Sequence, residues 1–122
     1  MTTTRITDVT AVGIPVRDQE RALAFYLGTL GFEKRLDAEF GAGRWVTVAA
    51  PGAATQLALV AADAVGVDTG IRLATTDAGA DHAHLRSRGV DVDAEVLRFP
   101  DVPPMFTFRD VDGNTLVVVE LS

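Results

Sequence analysis

The chain has 122 residues, 17 acidic and 11 basic side chains for a formal charge of −6, 48% hydrophobic residues and no cysteine. Surface scaling gives a monomer of this mass roughly 6,300 Å² of folded accessible area, about one-third of what its unfolded chain exposes, so one domain with a packed core is expected. The negative charge, with no Lys/Arg cluster to offset it, argues against nucleic acid and anionic membrane as partners, and the absence of cysteine excludes disulfides, thiolate metal sites and a cysteine nucleophile.

Met1 to Thr10 is polar and lacks the apolar run of a signal peptide, and no stretch approaches the roughly 18 apolar residues of a membrane span, so a cytoplasmic location is expected. Val9–Val16 (VTAVGIPV) predicts a buried strand. Asp18 then stands as a helix N-cap, with Gln19, Glu20 and Arg21 in the first turn. Ala22, Leu23, Tyr26, Leu27 and Leu30 recur at three and four residues, a helical stripe that ends at the capping Gly31. The period then drops to two. Phe32–Phe40, Trp45–Ala50 and Thr55–Val60 are predicted strands, parted by Gly41-Ala42-Gly43 and Pro51-Gly52.

The second half repeats this plan. Gly70–Thr76 predicts a strand, Asp77 an N-cap, Ala78–Arg88 a helix and Gly89 its C-cap, followed by strands at Val90–Arg98, Met105–Arg109 and Thr115–Leu121. Superposing Asp18 on Asp77 gives an offset of 59 residues, and the same offset lays Leu57-Ala58-Leu59 over Leu116-Val117-Val118. One register aligns both ends, so the chain is read as a duplicated βαβββ unit. A four-stranded ferredoxin-like domain is the nearest competitor, and this sequence supplies eight strands.

Ile14-Pro15-Val16-Arg17-Asp18, Ala24-Phe25-Tyr26, Leu30-Gly31-Phe32, Phe106-Thr107-Phe108-Arg109-Asp110 and Asp112-Gly113-Asn114 carry a resemblance over nearly the whole chain. The sequence resembles the vicinal oxygen chelate superfamily, which includes glyoxalase I, bleomycin-resistance proteins, fosfomycin-resistance transferases and extradiol dioxygenases. Val111 stands where the usual form of the last turn has proline. The resemblance implies an α+β fold, a single domain over residues 1–122 whose two βαβββ modules, 5–61 and 66–122, form half-barrels around a cavity. In metal-dependent members the ligands come from the first and last strands of the modules. The family spacing places those slots at Ala11, Ala58, Gly70 and Val117. None of these side chains offers a lone pair, and a shift of one residue brings in no carboxylate or imidazole, so no metal and no other cofactor is expected.

With the cavity that the resemblance implies, alternation points Gly70, Arg72 and Ala74 into it. An arginine there is costly unless it meets an acid or a ligand, so a salt bridge and a ligand contact both stand as readings. Gln56 shares a face with Ala58. Met105 and Thr107 point to the cavity, with Phe106 and Phe108 toward the core. Trp45 can go either way, and Phe99 opens a proline-rich loop, Phe99–Met105, that could rim the mouth. Trp45, Gln56, Arg72, Phe99, Met105 and Thr107 are therefore the candidate ligand-binding residues. His82 and His84, the only histidines, point about 200° apart on a helix, which is unsuited to a metal pair. Glu120 lies three positions past the usual glutamate, and its parity turns it away from the cavity, as a surface or dimer-edge carboxylate.

Two functions follow. The first is a metal-independent protein that sequesters an aromatic or cationic small molecule, in the manner of bleomycin-resistance proteins. The second is a glyoxalase-like lyase or isomerase, or a dioxygenase-related enzyme, for which no nucleophile with an adjacent base can be read. Half-barrels also leave strand edges and an apolar concavity that a second copy can cover, so a homodimer is expected.

Overall fold

A computed structural model describes residues 3–121. Met1 and Thr2 of the polar amino-terminal stretch, and Ser122 at the end of the expected second module, lie outside the described residues.

The first half runs β1 (Ala11–Val16), α1 (Gln19–Leu23) continued by a π-helical stretch (Ala24–Thr29), β2 (Glu33–Phe40), β3 (Gly43–Ala49) and β4 (Gln56–Ala61). The second runs β5 (Asp68–Thr75), α2 (Ala78–Ser87), β6 (Asp91–Val92), β7 (Met105–Arg109) and β8 (Thr115–Glu120). Each half folds into its own four-stranded sheet, ordered β1-β4-β3-β2 and β5-β8-β7-β6. In both, the first strand lies parallel to the last and the other neighbours are antiparallel. These are two tandem βαβββ modules, and neither sheet closes into a barrel. The offset of 59 holds at the level of pairing: Gly13 faces Ala58 across β1 and β4, and Arg72 faces Val117 across β5 and β8.

Local signals explain the helix ends. The Asp18 carboxylate accepts from the amides of Glu20 and Arg21, and that of Asp77 from the amide of Ala80. Gly31 and Gly89 follow the two helices at φ +76° and +77°, where a side chain would be strained. The first helix departs from the expected regular stripe by widening at Ala24–Thr29, where the Leu30 amide donates to the Phe25 carbonyl. The wider turn lets the adjacent Phe25 and Tyr26 both face inward, Phe25 toward Phe108 with ring centres 6.3 Å apart and Tyr26 toward Phe32 at 6.2 Å.

The expected strand over Val90–Arg98 is reduced to Asp91–Val92 and a single bridge between Leu97 and Met105. Its cause is local. The Asp93 carboxylate accepts from the Thr107 amide at 3.0 Å, taking a donor that strand pairing would have used.

Both sheets turn one face to a common core. Ile14, Val48 and Leu59 from the first sheet and Phe106, Phe108 and Leu116 from the second are buried in one cluster with the helical residues Leu23, Tyr26 and Leu85. The helices therefore lie between the sheets, and the other face of each sheet is turned outward. The turn Asp110–Asn114 joins the halves. Asn114 accepts from the amides of Gly66 and Val67 through Oδ1 and donates through Nδ2 to the Pro15 carbonyl at 2.8 Å. The Tyr26 hydroxyl donates to Asp110 at 2.8 Å, and burial, reinforced by the Asp110 charge, pushes the phenol well above its ordinary pKa.

Among the described residues no helix is long and apolar enough to cross a membrane. The accessible area is 7654 Å², roughly a fifth above the scaling value for a monomer of this size.

Candidate functional site

The outward faces can be read off the pairing, since residues directly opposite in a ladder share a face. Across the first sheet the row Gly13, Ala58, Thr47 and Leu36 points outward, with Trp45 on the same face opposite Ala38. Across the second, Arg72, Val117 and Thr107 form the matching row, and Ala74, Val119 and Met105 the next. The expected alternation is observed in β7, where Phe106 and Phe108 are fully buried in the core and Met105 and Thr107 are half-buried on the opposite face.

The candidate residues are thus divided between two faces. Trp45 and Gln56 lie on the first sheet, and Arg72, Met105 and Thr107 on the second. Trp45, left open by its sequence, is outward and 38% exposed. Gln56 Oε1 accepts from the Thr47 hydroxyl at 2.6 Å, and that hydroxyl accepts in turn from the Leu36 amide at 3.1 Å. Phe99 is 62% exposed on its loop. One chain does not bring the six residues together.

Arg72 makes no ion pair with a described residue. Its Nη1 donates to the Gly70 carbonyl at 2.9 Å. Gly70 has φ +69°, and the pairing of β5 with β8 shifts register between Asp68 and Arg72, whereas β1 pairs with β4 without interruption. This bulge was the feature missed by strand periodicity, although Thr69-Gly70 inside a strand pattern is the kind of signal that marks one.

Arg72 lines a cleft of about 590 Å³ between the β1/β4 side of the first sheet and β5 of the second. Val12, Leu57, Phe32, Ile71 and Leu73 contribute apolar walls, and Arg72 is the single charged residue among the described lining residues. Leu57 is buried, but Val12, Ile71 and Leu73 are only half-buried, where the cleft opens beside them. A second cleft of about 530 Å³, near the end of α2, is lined by Arg21, Arg88, Arg109 and Asp91 and contains none of the six candidates.

The family's metal slots fall on β1, β4, β5 and β8, at Ala11, Ala58, Gly70 and Val117, and none carries a donor atom. Among the described residues no three His, Cys, Asp or Glu side chains group as a metal site requires. These residues do not fit a divalent cation. His82 Nε2 lies 2.7 Å from the Asp93 carbonyl and its ring stands edge-on to Phe106, so it is held as part of the packing around α2. His84 is exposed, and its Nε2 lies 3.1 Å from the Thr29 carbonyl. Glu120 corrects the expectation of a surface or dimer-edge carboxylate. It is half-buried and accepts from the Ala78 amide at 3.0 Å, adding an acceptor to the first turn of α2, because its parity directs it to the helix side of the sheet.

A sequence model of the Glyoxalase/Bleomycin resistance protein/Dioxygenase superfamily matches residues 7–118. The chain belongs to this superfamily. Among solved members, the chain is 37% identical to TnmS3, an antibiotic binding protein from Streptomyces sp. CB03234, over 98% of this chain and 100% of that one, with a TM-score of 0.88. It is 38% identical to a glyoxalase/bleomycin resistance protein/dioxygenase superfamily member from Sphaerobacter thermophilus DSM 20745, over 97% and 100% of the two chains, with a TM-score of 0.91. The fold extends to the fosfomycin resistance protein FosX from Listeria monocytogenes, at 14% identity, coverage of 96% and 95%, and a TM-score of 0.76. No curated protein matches the chain.

Proposed function

We propose that this superfamily member is a cytoplasmic homodimer that binds and sequesters an aromatic or amphiphilic small molecule without a metal ion. The observation that carries the reading is the set of apolar residues, Ala11, Ala58, Gly70 and Val117, at the metal slots. With no carboxylate or imidazole there, Lewis-acid chemistry has no protein ligands, while small side chains leave room for a ligand body. Similarity to an antibiotic binding protein at 37% identity supports the same reading.

Residues 5–61 and 66–122 act as the two modules of one domain. The ligand is held by Trp45, Gln56, Arg72, Phe99, Met105 and Thr107. Because one chain divides these between two outward faces, the site is completed when the first sheet of one protomer meets the second sheet of its partner. Leu36, Phe40, Trp45 and Val60 are 51%, 75%, 38% and 42% exposed on the first outward face, an apolar surface that a second copy would cover. The accessible area in excess of a compact monomer supports this assembly.

Titration of chemically diverse aromatic antibiotics against Trp45 fluorescence, in buffer containing a chelator, tests the function. At least one compound class should change the emission saturably, with no effect of adding Ni, Zn, Fe or Mn. Binding or turnover that appears only on metal addition would overturn the reading. Sedimentation velocity should give a dimer.

A further inference from the structure

We infer that Arg72 anchors an acidic group of the ligand, a carboxylate, sulfonate or phosphate attached to an apolar body lying in the cleft beside β5. This rests on the small-molecule-binding reading above and departs from its placement: the apolar body lies in a cleft within one chain, which Arg72 alone of the six candidate residues lines.

Three observations support it. The first is the lining of the cleft: apart from Arg72, its described walls contain no charged side chain, so an apolar body meets apolar surface and a single fixed cation. The second is the state of the guanidinium. The ion-paired arginines differ: Arg44 bonds Asp37 through two nitrogens and Glu20 through a third, Arg35 lies 3.2 Å from Glu33, and Arg109 lies 3.5 Å from Asp91. Arg72 has one intrachain hydrogen bond, to Gly70, and no described carboxylate within ion-pair distance. Among the described residues of the chain, four of its five N–H groups meet no acceptor, and a planar fork of this kind matches an acid group through two parallel bonds.

The third is the backbone that aims it. Gly70 at φ +69° supplies the acceptor, and the bulge it forms places the Arg72 side chain at the cleft. A Cβ at Gly70 would meet nothing within 4 Å, so the glycine is required there by backbone conformation and not by crowding. At the positions equivalent to Gly70 and Arg72, the first half has Ala11 and Gly13, on a strand whose register is unbroken. Between the first strands of the two modules, the cation and the register shift occur together in β5 and neither occurs in β1. The hydrogen bond to Gly70 holds the guanidinium in advance, which lowers the entropy lost when it meets a ligand. The formal charge of −6 favours cationic ligands at long range, but at the cleft itself the local charge is positive.

Two fluorescent dyes with the same aromatic body separate the outcomes. Anilinonaphthalenesulfonate carries an acid group, and phenylnaphthylamine is the same framework without it. Titrated against the full chain, the sulfonate should bind about tenfold or more tighter than the neutral dye, the range expected of a charge-assisted hydrogen-bonded contact. In Arg72→Gln the ratio of the two affinities should fall to near one, and in Arg72→Lys it should take an intermediate value. An unchanged ratio in Arg72→Gln, with matching far-ultraviolet circular dichroism, would overturn the assignment. So would equal binding of the two dyes by the unmodified chain, which leaves the small-molecule reading intact. If neither dye binds, both the assignment and the reading beneath it fail.

Discussion

In the first half of the molecule Gly13, Ala58, Thr47 and Leu36 stand side by side across four strands; in the second, Arg72, Val117 and Thr107 occupy the same places, and the fourth strand is two residues long where its counterpart has eight. Strand order is the same in both halves, whereas the outward side chains and parts of the pairing register differ. The covered faces have not diverged in kind, since Leu57 and Leu59 align with Leu116 and Val118, all buried. One face of each sheet is constrained by a shared core, so it stays apolar. The other is free to specialise: the register shift falls between the first and last strands in the second half, beside Arg72, and between the two antiparallel strands β2 and β3 in the first, beside Lys34 and Arg35.

The comparison can be broken first at the core. Leu57→Ala and Leu116→Ala remove equivalent buried side chains, and each should lower stability by about 2–5 kcal/mol. Because both belong to one cluster, calorimetry should show a single transition for either variant. Two separated transitions would mean that the halves fold independently.

A smaller effect is expected at the turn that joins the halves. Asn114→Ala removes a buried amide that serves Gly66, Val67 and Pro15, and should cost about 1–3 kcal/mol in urea unfolding. Thr55, which the repeat places opposite Asn114, is exposed, and Thr55→Ala should change stability by less than about 0.5 kcal/mol. Equal losses at the two positions would remove the distinction between them.

The smallest effect concerns Tyr26. Tyr26→Phe deletes the hydroxyl bond to Asp110 and should cost about 1 kcal/mol near neutral pH. The folded state favours the protonated phenol, because its pKa is raised above the ordinary 10.0. Its contribution is therefore complete below pH 10.0 and is lost as pH rises beyond it. Unfolding midpoints measured from pH 8 upward should show an alkaline decline that is shallower in Tyr26→Phe.

Much of the fold was legible in spacing. Asp18 and Asp77, Gly31 and Gly89, and the common offset marked two copies of one unit, and alternation in β7 assigned Phe106, Met105, Thr107 and Phe108 to their correct faces. The Val90–Arg98 strand was not legible, because the Asp93 carboxylate competes for a backbone donor belonging to Thr107, fourteen residues away. Glu120 was read as leaving the cavity wall, which it does, but its bond to the Ala78 amide depends on how β8 meets α2.

The sequence alone determined the two βαβββ units, their helix caps and the apolar character of the four metal slots, since each depends on residue type and short-range spacing. Tertiary structure decided the rest. That the helices lie between the sheets, with the candidate binding residues divided over two outward faces, follows from contacts such as Phe25 with Phe108 and Tyr26 with Asp110, between residues more than eighty positions apart. That Arg72 stands beside an apolar cleft without an acidic partner follows from one positive φ at Gly70 and from where the cleft opens beside β5. A backbone dihedral and the gap between two sheets leave no periodic trace in the chain, so only the folded molecule reveals them.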